Sequence, residues 1–122
     1  MKLDAFLKKL NDDPEAVTFD EALATVGEHY RLTPCGYTLA GVRFDVDQVH
    51  RSCQLYAFGI LHKLSKEQTL ACFGEHYRED VLKHPQGSDH QTVRLFMQVG
   101  WEGLKLDSPM PLKARTVGEP KP

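Results

Sequence analysis

Residues 52–64, SCQLYAFGILHKL, place Cys53, Leu55, Tyr56, Ala57, Phe58, Ile60, Leu61 and Leu64 on nearly every side of a helix. In a soluble protein such a segment belongs at the centre, covered on several sides by its neighbours. Everything else in the chain has to be arranged about it. With 122 residues, one domain can bury a single hydrophobic core without metal or disulfide staples. The segment 52–64 is therefore expected to be the most buried element.

The covering elements announce themselves through their starts. Thr18-Phe-Asp-Glu21, Ser65-Lys-Glu-Gln68 and Ser88-Asp-His-Gln91 share the capping-box form, in which paired side chains satisfy orphaned backbone donors. Each is followed by apolar residues at helical spacing. Helices are expected over 2–11 (Leu3, Phe6, Leu7, Leu10), 19–30 (Leu23, Val26, Tyr30), 66–83 (Leu70, Phe73, Tyr77, Val81) and 89–100 (Val93, Phe96, Met97). Pro14 marks a short turn after the first of these, and Pro34 with Gly36 stops the second.

Residues 37–46, YTLAGVRFDV, alternate as a hairpin about Ala40-Gly41, with Tyr37, Leu39, Val42 and Phe44 on one face. Residues 103–106 can add a third strand. The reading is a mainly helical α+β single domain over 1–107 with a small antiparallel sheet. Residues 108–122, with Pro109, Pro111, Pro120 and Pro122 and no periodicity, read as a flexible tail. A chain ending at Asp107 or Ser108 is accordingly expected to keep its melting temperature. LATVGEHYR (23–31) and LACFGEHYR (70–78) match at seven of nine positions, but their flanks do not match. Two copies are also too few for a solenoid.

A formal charge of −2, with no run of five or more like charges, argues against a nucleic-acid binder. No apolar stretch approaches the ~18–20 residues of a membrane span. Cys35, Cys53 and Cys72 are odd in number and lack CxxC spacing, which points to free thiols in a reducing, cytoplasmic compartment. Cys35, beside Pro34 and Gly36, is the expected exposed thiol; Cys53 and Cys72 lie on apolar helix faces and read as small core hydrophobes.

Chemistry concentrates at the 84–88 corner. His76, Asp80 and His84 stand at helical spacing, and Asp89 and His90 follow the corner. These could supply metal ligands, His76, Asp80, His84 and His90 foremost, but a zinc site needs donors converging at ~2.0–2.2 Å, and polar residues are ordinary on a solvated helix face. The expectation is no metal and no cofactor. Folding 66–100 back on itself brings Asp80 level with Arg94, as a bracing ion pair or an anion site beside His90. Tyr77 completes a candidate binding patch of Tyr77, Asp80, Asp89, His90 and Arg94. Trp101 reads as core, in need of a partner for its indole N–H. No nucleotide-loop, nucleophile-elbow or zincin motif is present, so catalytic residues are not assigned and the balance leans away from an enzyme.

The run from Thr69 to Trp101 is idiosyncratic. Its densest parts are Thr69-Leu-Ala-Cys-Phe-Gly74, Tyr77-Arg-Glu-Asp-Val-Leu82, Pro85-x-Gly87-x-Asp89-His90-Gln91 and Arg94-x-Phe96-Met97-x-x-Gly100-Trp101. It resembles the signature of the HopJ family of type III effector proteins, and the resemblance extends over most of 3–106. The family pattern has Asn-Gly where this chain has Ala40-Gly41, and does not require His76 or His84. The resemblance implies an effector delivered into plant cells by a type III system. Against it, the first serine is Ser52, whereas a type III substrate is expected to carry a Ser-rich, flexible start. The leading expectation is a non-enzymatic intracellular binding or regulatory protein with a protein or small-molecule partner. A secreted effector comes second, and a small metal- or anion-dependent enzyme third. An open pocket holding convergent Asp80, His90 and Arg94 would favour the third reading; a flat surface with them paired would favour the first.

Overall fold

The computed structural model describes residues 1–116. Chain order is α1 (Leu3–Asp12), a 3₁₀ turn (Pro14–Ala16), α2 (Phe19–His29), β1 (Tyr30–Leu32), β2 (Tyr37–Leu39) and β3 (Val42–Phe44), then α3 (Val46–Leu61) and α4 (Lys66–Ala71). A π-helical turn (His76–Val81), α5 (Gln91–Val99), a 3₁₀ turn (Gly100–Gly103), β4 (Leu104–Leu106) and β5 (Leu112–Ala114) complete it. The architecture is α+β, with helices dominating two small antiparallel sheets ordered β3-β2-β4 and β1-β5.

α3 is the axis of the core. Cys53, Leu55, Tyr56, Ala57 and Phe58 are fully buried, wrapped by Phe6 and Leu10 of α1, Ala22 and Val26 of α2, Tyr37 and Leu39 of β2, and Val93 and Phe96 of α5. The helix begins before Ser52, at Val46, and Gln48 Oε1 accepts the Asp45 N–H at its start. Val49 then departs from helical geometry (φ −129°, ψ 25°) and kinks the first turn. Ser52, the expected start, lies just beyond that kink. At the other end Ile60 and Leu61 are 38% and 39% exposed, so the apolar character all round does not mean burial all round.

The hairpin forms in the expected register, Tyr37 opposite Phe44 and Leu39 opposite Val42, with β4 on the other edge of β2. Ala40 (φ 52°) and Gly41 (φ 78°) both take left-handed backbone, the geometry a tight two-residue hairpin turn demands. Ala40 accepts there a strain that Asn would tolerate better.

Three expectations are corrected. Residues 112–114, assigned to a loose tail, pair with β1, Leu32 opposite Leu112 and Tyr30 opposite Ala114, and Leu112 is only 5% exposed. Residues 117–122, the rest of that tail, lie outside the described residues. The helix expected over 66–83 stops at Ala71. Gly74 (φ 56°) approaches α2 so closely that a Cβ there would sit 2.3 Å from the Phe19 nitrogen, and Glu75 Oε1 accepts the Phe19 N–H at 2.9 Å. Capping α2 from a distance thus outweighs continuing the helix locally. Lastly, Ser88 does not cap α5; His90 stands at its start in left-handed conformation (φ 49°, ψ 47°) with no side-chain cap bond. The caps at Thr18 and Ser65 do form.

The GEHYR echo carries no structural repeat. Gly27 to His29 end α2 and Tyr30-Arg31 open β1, whereas Gly74 is left-handed and His76 to Arg78 begin the π turn. The same five residues obey different tertiary partners.

Candidate histidine–aspartate site

The break at Gly74 releases the chain into the π turn 76–81, whose backbone bonds include Leu82 N to Tyr77 O at 2.9 Å. Such turns are rare and recur at functional sites. Here the π turn carries both His76 and Asp80. After the 84–88 corner, the left-handed backbone of His90 turns a second imidazole back onto them. Asp80 Oδ2 accepts from His90 Nε2 at 2.8 Å and faces His76 Nδ1 at 3.4 Å. The imidazole rings lie 4.5 Å apart, and Phe19 packs edge-on against His76 at 4.4 Å. One donor atom from each of His76, Asp80 and His90 falls within 4.8 Å of the others. His90, then His76, hold the Asp80 carboxyl below the usual carboxylate range through these hydrogen bonds.

The two histidines border an open cleft of about 490 Å³. Phe19, Phe73, Val49 and Val93 give it apolar surface, and Asp47, Gln48, His50 and Arg51 from the kinked start of α3 add polar groups to its lining. Behind it runs a buried hydroxyl network. Tyr37 OH meets Ser52 Oγ at 2.9 Å and Thr92 Oγ1 at 2.5 Å, while Tyr56 OH reaches Thr92 Oγ1 at 3.0 Å. Burial pushes both tyrosines above their ordinary range. Neither this network nor the contribution of residues 47–52 was legible in sequence, since no motif links that stretch to residue 90.

The candidate patch is divided. Asp80 and His90 meet as described. Arg94 does not pair with the Asp80 carboxylate. Its guanidinium bonds the carbonyls of Asp89 (2.6 Å), His84 (2.8 Å) and Asp80 (3.3 Å), and the Asp89 carboxylate at 2.6 Å. The carbonyls left open by the corner offer Arg94 several acceptors at once, and Arg94 in turn holds the Asp89 carboxyl low. Tyr77 lines a different cleft with Pro14, Arg78 and Leu82. His84 gives its backbone carbonyl to Arg94, and its ring lies outside the histidine–aspartate group.

The family model for HopJ type III effector protein matches residues 3–111. The chain belongs to the HopJ family. It is also similar to the solved structure titled crystal structure of unknown function protein VPA0580, with 43% sequence identity and a TM-score of 0.90. That match covers 94% of this chain and 95% of that one. Among curated proteins, none matches. No described helix of this HopJ chain is long and apolar enough to cross a membrane.

In the HopJ fold of this chain Trp101 is a packing residue. Its indole N–H donates to Leu64 O at 2.9 Å, and its ring sits over Gly59, where a Cβ would come within 2.7 Å. Cys35, expected to be exposed, is half-buried with its Sγ 3.7 Å from that of Cys53. Burial raises Cys53 to about 11 and Cys72 to about 12, leaving both as inert thiols. A small alkylating reagent should therefore label Cys35 alone in the native protein and all three cysteines after denaturation without reductant. Peptide mapping that finds Cys53 or Cys72 modified as fast as Cys35 would contradict this burial.

Arg94 gives a second expectation. Arg94→Met should lower stability by about 1.5–3 kcal/mol, the value of hydrogen bonds to a charged group. Urea melts check this, and an unchanged midpoint would mean that the corner holds without its guanidinium.

Proposed function

We propose that this HopJ protein is a non-enzymatic intracellular binding protein that takes a small ligand in the cleft beside His76 and His90. The carrying observation is that three departures from regular helix meet there: the kink at Val49, the π turn 76–81 and the left-handed His90. Such irregularities cost stability and cluster where a site needs them. Aromatic and aliphatic surface with a polar rim of His50, Arg51, His76 and His90 suits a ligand with an apolar body and a polar or anionic group.

Binding is favoured over catalysis by the state of the hydroxyls and buried thiols around the cleft. The Ser52 hydroxyl donates to Val49 O or engages Tyr37, Thr92 is held by both tyrosines, and the Cys53 and Cys72 thiols are pushed up by burial. Arg94, which an anion-dependent enzyme would turn toward Asp80 and His90, spends its donors on the corner. Free thiols favour a reducing, cytoplasmic compartment, and the net charge of −2 speaks against nucleic acid as partner.

Mapping amide shifts with a library of small aromatic carboxylates and amides tests the proposal. Shifts should gather at Phe19, His50, Phe73, His76 and Thr92, and the compounds should be recovered unchanged. Hits that scatter, or collect in the cleft at Tyr77 and Arg78, would overturn it.

The family description supports a second reading, a type III effector, which the sequence resemblance places inside a plant host cell. A translocation reporter fused to the full chain tests it in a bacterium with a working type III apparatus. Signal in the host that disappears when the apparatus is disabled supports delivery, and its absence removes this reading.

A further inference from the structure

We infer that His76, Asp80 and His90 bind one divalent transition-metal ion, of the zinc(II) or iron(II) class, with its open coordination positions facing the cleft. This deepens the cleft reading and rests on it. The donor set is two imidazoles and one carboxylate, the combination found in catalytic zinc and non-haem iron sites that keep positions open for an exogenous ligand. An ion with bonds of about 2.0–2.2 Å in tetrahedral geometry needs its ligand atoms roughly 3.4 Å apart. His76 Nδ1 and His90 Nε2 already stand 3.4 and 2.8 Å from Asp80 Oδ2. All three donors lie within 4.8 Å of one another, so small side-chain rotations complete the set.

The backbone around the donors is organised to the same end. His76 and Asp80 sit four apart on the π turn, and a non-glycine residue in left-handed conformation presents the third donor. Phe19 packs against the His76 ring and fixes its plane. His76 and His90 line the cleft whereas Asp80 does not, so an ion held by all three leaves its free positions on the cleft side. The side chains remain 29–45% exposed, which gives an ion a path in. Arg94, the nearby cation, is neutralised by the Asp89 carboxylate and turned to backbone carbonyls, that of Asp80 among them, and leaves the Asp80 carboxylate to the two imidazoles.

The test uses the full chain, stripped with a chelator and titrated with Co²⁺ by absorbance and Zn²⁺ by calorimetry. One ion per chain is expected, with weakening of about a hundredfold or more in His76→Ala, Asp80→Asn and His90→Ala, at least the penalty of losing a supporting partner. Cys35→Ser should bind as the parent does. Imidazole ¹⁵N shifts of the unsubstituted protein with Zn²⁺ should move at His76 and His90 and not at His84, which keeps the question open to decision even if a variant misfolds. No binding, thiolate charge transfer in the Co²⁺ spectrum, or unmoved His76 and His90 resonances would overturn the inference. Acetohydroxamate separates the two readings. If metal fails to bind while the aromatic carboxylates still map to the cleft, only this inference is lost. If metal binds but neither hydroxamate nor carboxylate perturbs Phe19, His50 and Phe73, the cleft reading fails and takes with it the cleft-facing orientation of the ion, while metal binding at the three side chains stands.

Discussion

Phe58→Ala should destabilise the protein by about 3–5 kcal/mol, the range for truncating a large buried aromatic, because both transfer and cavity terms apply in full. Phe58 has no exposed surface, and its ring packs against Phe6 (5.9 Å between centroids), Tyr30 (6.1 Å) and His62 (4.6 Å). Those neighbours come from α1, from β1 and from the end of α3 itself, so relaxation into the void would have to move three elements at once. The loss extends further. Tyr30 OH meets His62 Nε2 at 2.7 Å across the Phe58 ring, and removing the ring leaves that bond without its apolar cover. Urea melts provide the measurement, and a loss under about 1 kcal/mol would show that this part of the core collapses freely.

A chain ending at Ser108 should unfold at a markedly lower temperature, contrary to what the proline-rich composition of the C-terminus suggests. Truncation deletes Leu112, whose full burial contributes about 1.5–3 kcal/mol, and strips the β1 edge of its partner. It also removes three anchors to the body of the fold. Thr33 N–H donates to Pro111 O at 2.9 Å, Arg115 N–H to His29 O at 3.1 Å, and the Arg115 guanidinium to Gly27 O at 2.9 Å. At about 0.5–1.5 kcal/mol for each hydrogen bond, the combined loss with Leu112 is on the order of 3–7 kcal/mol. In a domain of this size that corresponds to a fall of roughly 10 °C or more. A chain ending at Thr116 should melt as the full-length protein does if the anchoring lies in 109–116. Equal melting of the Ser108 chain and the full-length protein would mean that β5 adds nothing to stability.

The sequence by itself determined whatever depends on residues a few positions apart. Helical spacing marked α1, α2 and α5, and side-chain caps at Thr18 and Ser65 marked helix starts, because those bonds close within one turn. Alternation about Ala40-Gly41 set the hairpin register, and the apolar stretch from Cys53 to Phe58 announced the core. Residues 69–101 were distinctive enough to point to the HopJ family. Only the tertiary structure decided the features that matter for a site, because each turned on which of several competing partners the folded chain brings together. Glu75 capping Phe19 broke a helix that local spacing favours. The corner carbonyls took Arg94 from Asp80. Tyr30 to Leu32 found in Leu112 to Ala114 the strand that composition disguised as a tail. The meeting of His76, Asp80 and His90 needs both a π turn and a left-handed residue. Neither has a local sequence code, because both conformations are locally unfavourable and persist only where packing around them makes up the cost.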